Sequence, residues 1–345
     1  MSAAHPVLPV RAPGQRLAPH GRDLPLRVGT RPSPLALVQT RAFLGMLRQF
    51  CPALHGIEMF EEHAIRTTGD AVQDRRLAEI GGKGLFAKEI HEALSDRRID
   101  FAVHSLKDLE TTLPPGIVLA CVLPREDARD ALMLPPGHGP VDPADPYAAI
   151  ARHAVIGTSS PRRRAQLLHA RPDLRVELLR GNVHTRLDKL ARGVCDASVL
   201  ALAGLRRLGL ETVAASVLEP ERMLPSAGQG MVGVTVREGD ADLRDMLFGI
   251  EDTRAHAVAV AERALLAELD GSCRTPIGGY ATLGSDDMAP TAKPTRLTLT
   301  GLVARPDGSF LLRRTLSGPI ADGVRIGREL GRSLRADSPA DIFEP

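Results

Sequence analysis

LRVGTRPSPLALVQTRAFLGML, residues 26–47, decides the fold. Its opening reads as an apolar strand that ends near Thr30. Ser33 then stands where a helix needs an N-cap. Pro34 suits the first helical turn, where its missing N–H has no partner to lose. Leu35, Val38, Ala42 and Met46 recur at helical spacing. The plan returns at AVIGTSSPRRRAQLL, residues 154–168: strand, small polar turn, Ser160 as cap, Pro161, helix. Two such openings suggest two lobes built alike, with a chance match as the competing reading.

Between them, GGKGLFAKEIHEALSDRR reads as a glycine-rich loop feeding a helix, with Phe86, Ile90 and Leu94 on one face. A buried-type strand, Phe101 to Val103, leads at once into His104, Ser105, Lys107 and Asp108. Farther on, VELLRGNVHTRLDKLARG gives strand, turn and helix, with Asn182 as cap and Gly193 as stop. Strands alternating with helices predict α/β lobes with mainly parallel sheets. Ligands of such sheets sit beyond the carboxyl ends of strands, where Arg31, Asp108 and Ser159 fall. From about Asp252 the pattern changes. An Ala-rich helix, His256 to Leu269, delivers Cys273, and RLTLTGLVARPDGSFLLRRTL alternates around a Pro-Asp-Gly turn as a hairpin does. This reads as a small α+β C-terminal domain.

The 345 residues suffice for two or three domains. The chain is 43% hydrophobic and 25% charged, an ordinary globular balance. A net charge of +2 is too small to suggest a nucleic-acid binder. The four cysteines are far apart and make no metal-type cluster, so neither a disulfide framework nor a metal site is expected. A reduced, cytoplasmic protein fits, and no apolar run is long enough to span a membrane. Residues 1–24, rich in Pro, Ala and Arg, read as a disordered tail.

Strand ends and helix starts supply Arg31, Arg162, Arg163, Arg180, Arg186 and Arg207. Arginine holds carboxylates bidentately and stays charged, and helix N-termini add free N–H groups. The set describes a cleft for a polycarboxylate, although a lone surface arginine is as often idle. Asp108 stands among these bases, either as a structural ion-pair partner or as an acid/base group. Cys273 lies in LDGSCRTPIGGY, residues 269–280, where glycines let the backbone approach a ligand. The competing reading is a buried small hydrophobe.

RPSPLAL, GGKGLF, AVHSLKD, REDARDA, IGTSSPRRR, LRGNVHTRLDKL, LAGLRRLGL, AGQG and GSCRTPIG follow one another from about residue 26 onward. In this order they closely resemble the porphobilinogen deaminase (hydroxymethylbilane synthase) family. The resemblance implies two lobes like those of periplasmic binding proteins and a third, cysteine-bearing domain. The boundaries are 25–124 with 228–250 for lobe 1, 125–227 for lobe 2 and 251–345 for the third domain.

It also implies a transferase. Four porphobilinogen units would be condensed head to tail, with loss of ammonia, into linear hydroxymethylbilane. The primer would be a dipyrromethane cofactor, made from the same substrate and bound to Cys273 through a thioether. Asp108 matches the catalytic aspartate. Arg31, Ser33, Arg180, Arg186 and Arg207 would face the incoming ring. Lys107, Ser160, Arg162, Arg163 and again Arg186 would hold cofactor carboxylates, and Lys83 of the glycine-rich loop would also bind the cofactor. Phe86 would pack on a pyrrole face. Porphobilinogen is the expected partner, with no nucleic acid, no membrane and no second subunit.

Three positions depart from the family pattern: Glu79 where lysine is usual, and Glu110 and Ala128 in place of prolines. The segment 67–83 lacks an apolar period and reads as a mobile lid. A solute-binding receptor for a polycarboxylate is the alternative, but it has no use for Cys273. A nucleic-acid regulator using Arg162 to Arg164 lacks a DNA-binding motif.

Overall fold

The computed structural model describes residues 24–51, 54, 59–72, 84–269, 275–285 and 293–343. Lys83, Glu79, Cys273, residues 1–23 and most of the expected lid lie outside these. The described strands are β1 (Leu26–Thr30), β2 (Phe60–Ala64), β3 (Phe101–Ser105), β4 (Ile117–Val122), β5 (Asp130–Met133), β6 (Val155–Gly157), β7 (Arg175–Glu177), β8 (Ala197–Ala201), β9 (Ser216–Leu218), β10 (Val232–Arg237), β11 (Ile277–Gly284), β12 (Arg296–Ala304) and β13 (Leu311–Pro319).

Both strand–cap–proline–helix openings fold as read. β1 leads to the helix Pro34–Phe50, whose cap Ser33 accepts from the Ala36 N–H at 3.3 Å. β6 leads to the helix Pro161–Ala170, where Ser160 accepts from the Arg163 N–H at 3.4 Å. The sheets around them share one plan. The first runs β2-β1-β3-β10-β4 and the second β7-β6-β8-β5-β9. In each, three parallel strands are followed by one antiparallel strand, the first that the chain forms on arriving from the other lobe. The chain therefore crosses between the lobes twice, near 123–129 and 219–231.

Each sheet is closed by its helices. In the first lobe, Phe43 and Leu47 are fully buried against Val28, Phe101 and Val234, with the rings of Phe43 and Phe101 edge-on at 5.6 Å. Burying one such side chain contributes about 1.5–3 kcal/mol. The glycine-rich loop departs from its reading. The helix there is Lys88–Ser95, and Ala87 before it has φ −134°. The helical face thus begins after Phe86, which stays in the preceding turn with its ring against Gly69. A Cβ on Gly69 would come within 2.3 Å of that ring.

The C-terminal part is an antiparallel sheet, β11-β12-β13, under two helices, Thr253–Glu268 and Gly323–Ala336. The predicted hairpin is β12–β13, paired from Arg296↔Pro319 to Ala304↔Leu311. The two helices touch at Gly327, where a Cβ would meet the Ala261 carbonyl at 2.4 Å. Only glycine allows that approach.

Glu262, on the first of these helices, is fully buried and joins all three parts. Its carboxylate accepts from Arg125 Nη1 at 2.6 Å, the Gly228 N–H at 2.7 Å and the Ala281 N–H at 2.7 Å. Arg125 and Gly228 stand at the two crossings. Removing one partner of such a buried pair costs about 3–5 kcal/mol.

Candidate active site

A cleft of about 620 Å³ lies beyond the carboxyl ends of the strands. Arg31 and Ser33 reach it from the end of β1, and Lys107 and Asp108 from the single 3₁₀ turn that ends β3. Ser159 and Ser160 follow β6, and Arg180 and Arg186 come from the connection after β7 and from the helix Val183–Ala191. That helix starts where predicted, with Asn182 accepting from the Thr185 N–H at 2.9 Å. Arg162, Arg163 and Phe86 complete the predicted lining.

On one side Arg31 is held on three fronts. Its guanidinium carbon lies 4.2 Å from the centre of the Phe86 ring. Its Nε donates to Asp70 Oδ2 at 3.2 Å and its Nη2 to Asp70 Oδ1. Its Nη1 is 3.5 Å from Asp108 Oδ2. Asp108 keeps part of its surface open to the cleft.

The other side is a wall of cations. Arg162 and Arg163 are buried and share one acid. Their Nη2 groups donate to opposite oxygens of Asp130, each at 2.8 Å. Their Nη1 groups donate to the carbonyls of Leu224 and Val199. Gln229 donates to Asp130 at 2.8 Å and accepts from Lys107 Nζ at 3.3 Å. Lys107 and Arg186 make no ion pair among the described residues. Loss of solvent around the Lys107 ammonium, and then repulsion from Arg163, push it down to about 8. Burial, then Arg163 and Arg180, push Arg186 down to about 10. Burial works against the charge of Asp130, but Arg162 and Arg163 hold its carboxyl far below the usual range.

Three predicted residues stand elsewhere or outside the described residues. Arg207 is not among the residues lining the cleft; it donates to the Gly230 carbonyl at 2.7 Å, because its helix, Leu202–Arg207, turns that face to the second crossing. Lys83 and Cys273 lie outside the described residues, although Leu266 before Cys273 and Thr275 after it both line the cleft. The other cysteines, Cys51, Cys121 and Cys195, are buried, and burial pushes Cys121 up to about 12.

Sequence reasoning missed Asp70, Asp130, Gln229 and Arg263. Asp130 and Gln229 sit inside REDARDA and AGQG, so the motifs contained them without showing what they touch. Arg263 signals nothing locally. From the C-terminal part it donates to the carbonyls of Leu109, Glu110 and Thr111, directly behind Asp108.

The wall fits a ligand with several carboxylates. Lys107, Arg162, Arg163 and Arg186 outnumber the one buried acid among them. The Nε atoms of Arg162 and Arg163 are buried with no hydrogen-bond partner. Buried donors are rarely left so unless something else supplies the acceptor.

Residues 26–245 match the family described as porphobilinogen deaminase, dipyromethane cofactor binding domain. Residues 257–336 match porphobilinogen deaminase, C-terminal domain. A protein of Paracoccus denitrificans (strain Pd 1222), named porphobilinogen deaminase, is 47% identical over 325 residues, 93% of this chain and 96% of that one. One of Sorangium cellulosum (strain So ce56), with the same name, is 47% identical over 314 residues, 90% and 98% of the two chains. Among solved structures, the Bordetella pertussis BvgS periplasmic VFT2 domain gives a distant likeness, at 15% identity and a TM-score of 0.36 over 65% of this chain and 86% of that one. Both domain matches in order, and near-complete relatives at this identity, lead to one statement: the chain belongs to the porphobilinogen deaminase family.

Proposed function

We propose that this chain condenses four porphobilinogen units into hydroxymethylbilane, with Asp108 at the reacting centre and the cations of the second lobe holding the primer. The observation that carries this reading is the surplus of buried positive charge around two guanidinium groups with unpartnered Nε–H donors. A covalent dipyrromethane, when bound, supplies the primer end on which the chain of rings would grow and from which water would free the four-ring product. Lys107, Arg162, Arg163 and Arg186, with Ser160 at its helix cap, hold its acetate and propionate arms, and Cys273 carries it.

The remaining chemistry falls to residues of the chain. Asp108 gives a proton to the departing amine of porphobilinogen, so that ammonia leaves. Its carboxylate then faces the methylene cation left on the substrate, where an ionised acid within an enclosed cleft stabilises most. After the rings join, Asp108 takes up the proton released from the pyrrole carbon. Arg180 and Arg186, with Ser33 and Arg31, orient the substrate arms, and Phe86 covers a ring face. Arg207 donates to the Gly230 carbonyl at the second crossing. Lys83 would add a positive charge for the arms of the same cofactor.

The division into a tail (1–24), lobe 1 (25–124 and 228–250), lobe 2 (125–227) and a third domain (251–345) follows the two crossings. No helix among the described residues is long and apolar enough to cross a membrane, and we place the working enzyme in the cytoplasm as a monomer. A solute receptor for a polycarboxylate would share the cationic wall, but it would carry no bound pyrrole.

The test is colour and mass. Purified protein treated with an acidic aldehyde reagent for pyrroles is expected to colour, and its intact mass to exceed the sequence mass by two porphobilinogen-derived units. Uncoloured protein of plain sequence mass that still makes product would end this reading.

Loading should also depend on pH. Lys107 holds its proton in the unloaded protein only below about 8. As pH rises through that value the wall loses one charge, so uptake of porphobilinogen by unloaded protein weakens between pH 7 and pH 9, followed by intact mass over time. The same shift bears on folding with a definite sign. The folded value lies below the ordinary one for lysine, so the cost of burying the charge is full below about 8 and is relieved as pH rises. Unloaded protein should therefore gain stability over the range in which it loses affinity, a divergence that thermal melts at the two pH values would show.

A further inference from the structure

We propose that Asp70 is a positioning residue for the reaction: it holds the Nε/Nη2 edge of Arg31 and so aims the remaining Nη1/Nη2 edge at Asp108 and a substrate carboxylate. This rests on the assignment of Arg31 and Asp108 to the reacting pocket. Asp70 lies in the short helix Thr68–Ala71, and its Oδ2 also accepts from the Thr67 hydroxyl at 2.8 Å and the Thr67 N–H at 3.3 Å. The carboxylate is thus fixed by its own turn before it meets Arg31.

The geometry of a guanidinium makes the consequence specific. It holds a carboxylate best through two parallel N–H groups, and for Arg31 the edge formed by Nε and Nη2 is taken by Asp70. The face of the guanidinium is taken by Phe86, whose ring is itself wedged against Gly69. What remains is the edge formed by Nη1 and the second N–H of Nη2, and Asp108 lies 3.5 Å from Nη1, beyond a good hydrogen bond but within an ion pair. Burial opposes the charge of Asp70, yet Arg31 and Thr67 together hold its carboxyl below the ordinary range, so the pair stays ionised. Arg31 is therefore a clamp whose one open edge is aimed by Asp70 at the reacting centre. Without Asp70 the guanidinium would turn, and its freed Nε/Nη2 edge would grip a substrate arm away from Asp108.

The kinetics should separate this from a role in folding. Asp70→Asn keeps the shape and an acceptor for Thr67 but removes the charge. Arg31 is then free to bind substrate more tightly while leaving its place beside Asp108. We expect kcat to fall at least about tenfold and KM to fall with it, with cofactor loading by intact mass unchanged. A variant that lowers both constants has traded transition-state for ground-state interaction. A merely structural Asp70 would lower Tm and leave kcat intact at temperatures well below it. In a double-mutant cycle, Asp70→Asn combined with Arg31→Met should be no slower than Arg31→Met alone, because Asp70 acts through Arg31. Should Asp70→Asn fail to fold, Asp70→Glu, which keeps the charge but moves the fork, is expected to lower kcat and KM in the same direction. Unchanged kcat, a raised KM, or additive losses in the cycle would overturn the proposal. If instead Asp108→Asn retained full turnover, the assignment of the pocket itself would be at fault.

Discussion

Asp108→Asn is expected to reduce turnover by about 10²–10⁴-fold, the usual contribution of a positioned acid/base group. The substitution changes almost nothing in shape. Asp108 sits on the 3₁₀ turn Leu106–Asp108, with Arg263 gripping the three carbonyls that follow it. An asparagine there keeps its backbone and still faces Arg31. It loses the proton for the amine, the charge for the cation and the base for the final step. Because one side chain serves three steps, no partial rescue by the remaining groups is expected. A primer installed during expression should stay in place, since the residues proposed to hold it lie on Lys107 and the second lobe. Product formation by the purified variant, read beside its intact mass, is the measurement. A loss of only about twofold would move Asp108 from chemistry to structure.

Cys273→Ser is expected to give protein of plain sequence mass and no product. The thioether needs a sulfur nucleophile: a thiolate forms at accessible pH, whereas a hydroxyl without an adjacent base does not ionise. No other cysteine offers a substitute. Cys51, Cys121 and Cys195 are buried, and none lines the cleft. The fold should survive, because Cys273 stands in no disulfide framework. Retained mass excess and activity in the serine variant would put the attachment on another residue.

The local grammar of the chain was legible, and its long-range pairings were not. Ser33, Ser160 and Asn182 were readable as caps because a cap depends on its own neighbours three residues on. The hairpin around Pro306, Asp307 and Gly308 was readable for the same reason. Phe86 was misplaced on the helix because periodicity cannot see that Ala87 leaves helical φ/ψ. Arg162 and Arg163 were legible as cations at a helix start. Their shared partner Asp130, more than thirty residues earlier, was not. Arg207 looked like its fellow arginines in sequence, yet it serves a backbone carbonyl outside the cleft. Asp70 was hidden for a further reason: its meaning lies in which edge of Arg31 it covers, and no pattern of residue types encodes an edge.

Glu262 has a mechanical consequence. Its carboxylate gathers Arg125 and Gly228, one from each crossing, and Ala281 from the C-terminal sheet. It acts as a pin driven through both straps at one point. A lobe swinging against its neighbour must turn about that pin, and displacement grows with distance from it. Gln229, one residue beyond Gly228, accepts from both Arg125 and Lys107 and so stands close to that pin. A turn about the pin would displace whatever Lys107 and its neighbours hold least and the opposite rim most. A lever of this kind lets the product lengthen without loosening the grip on its first unit.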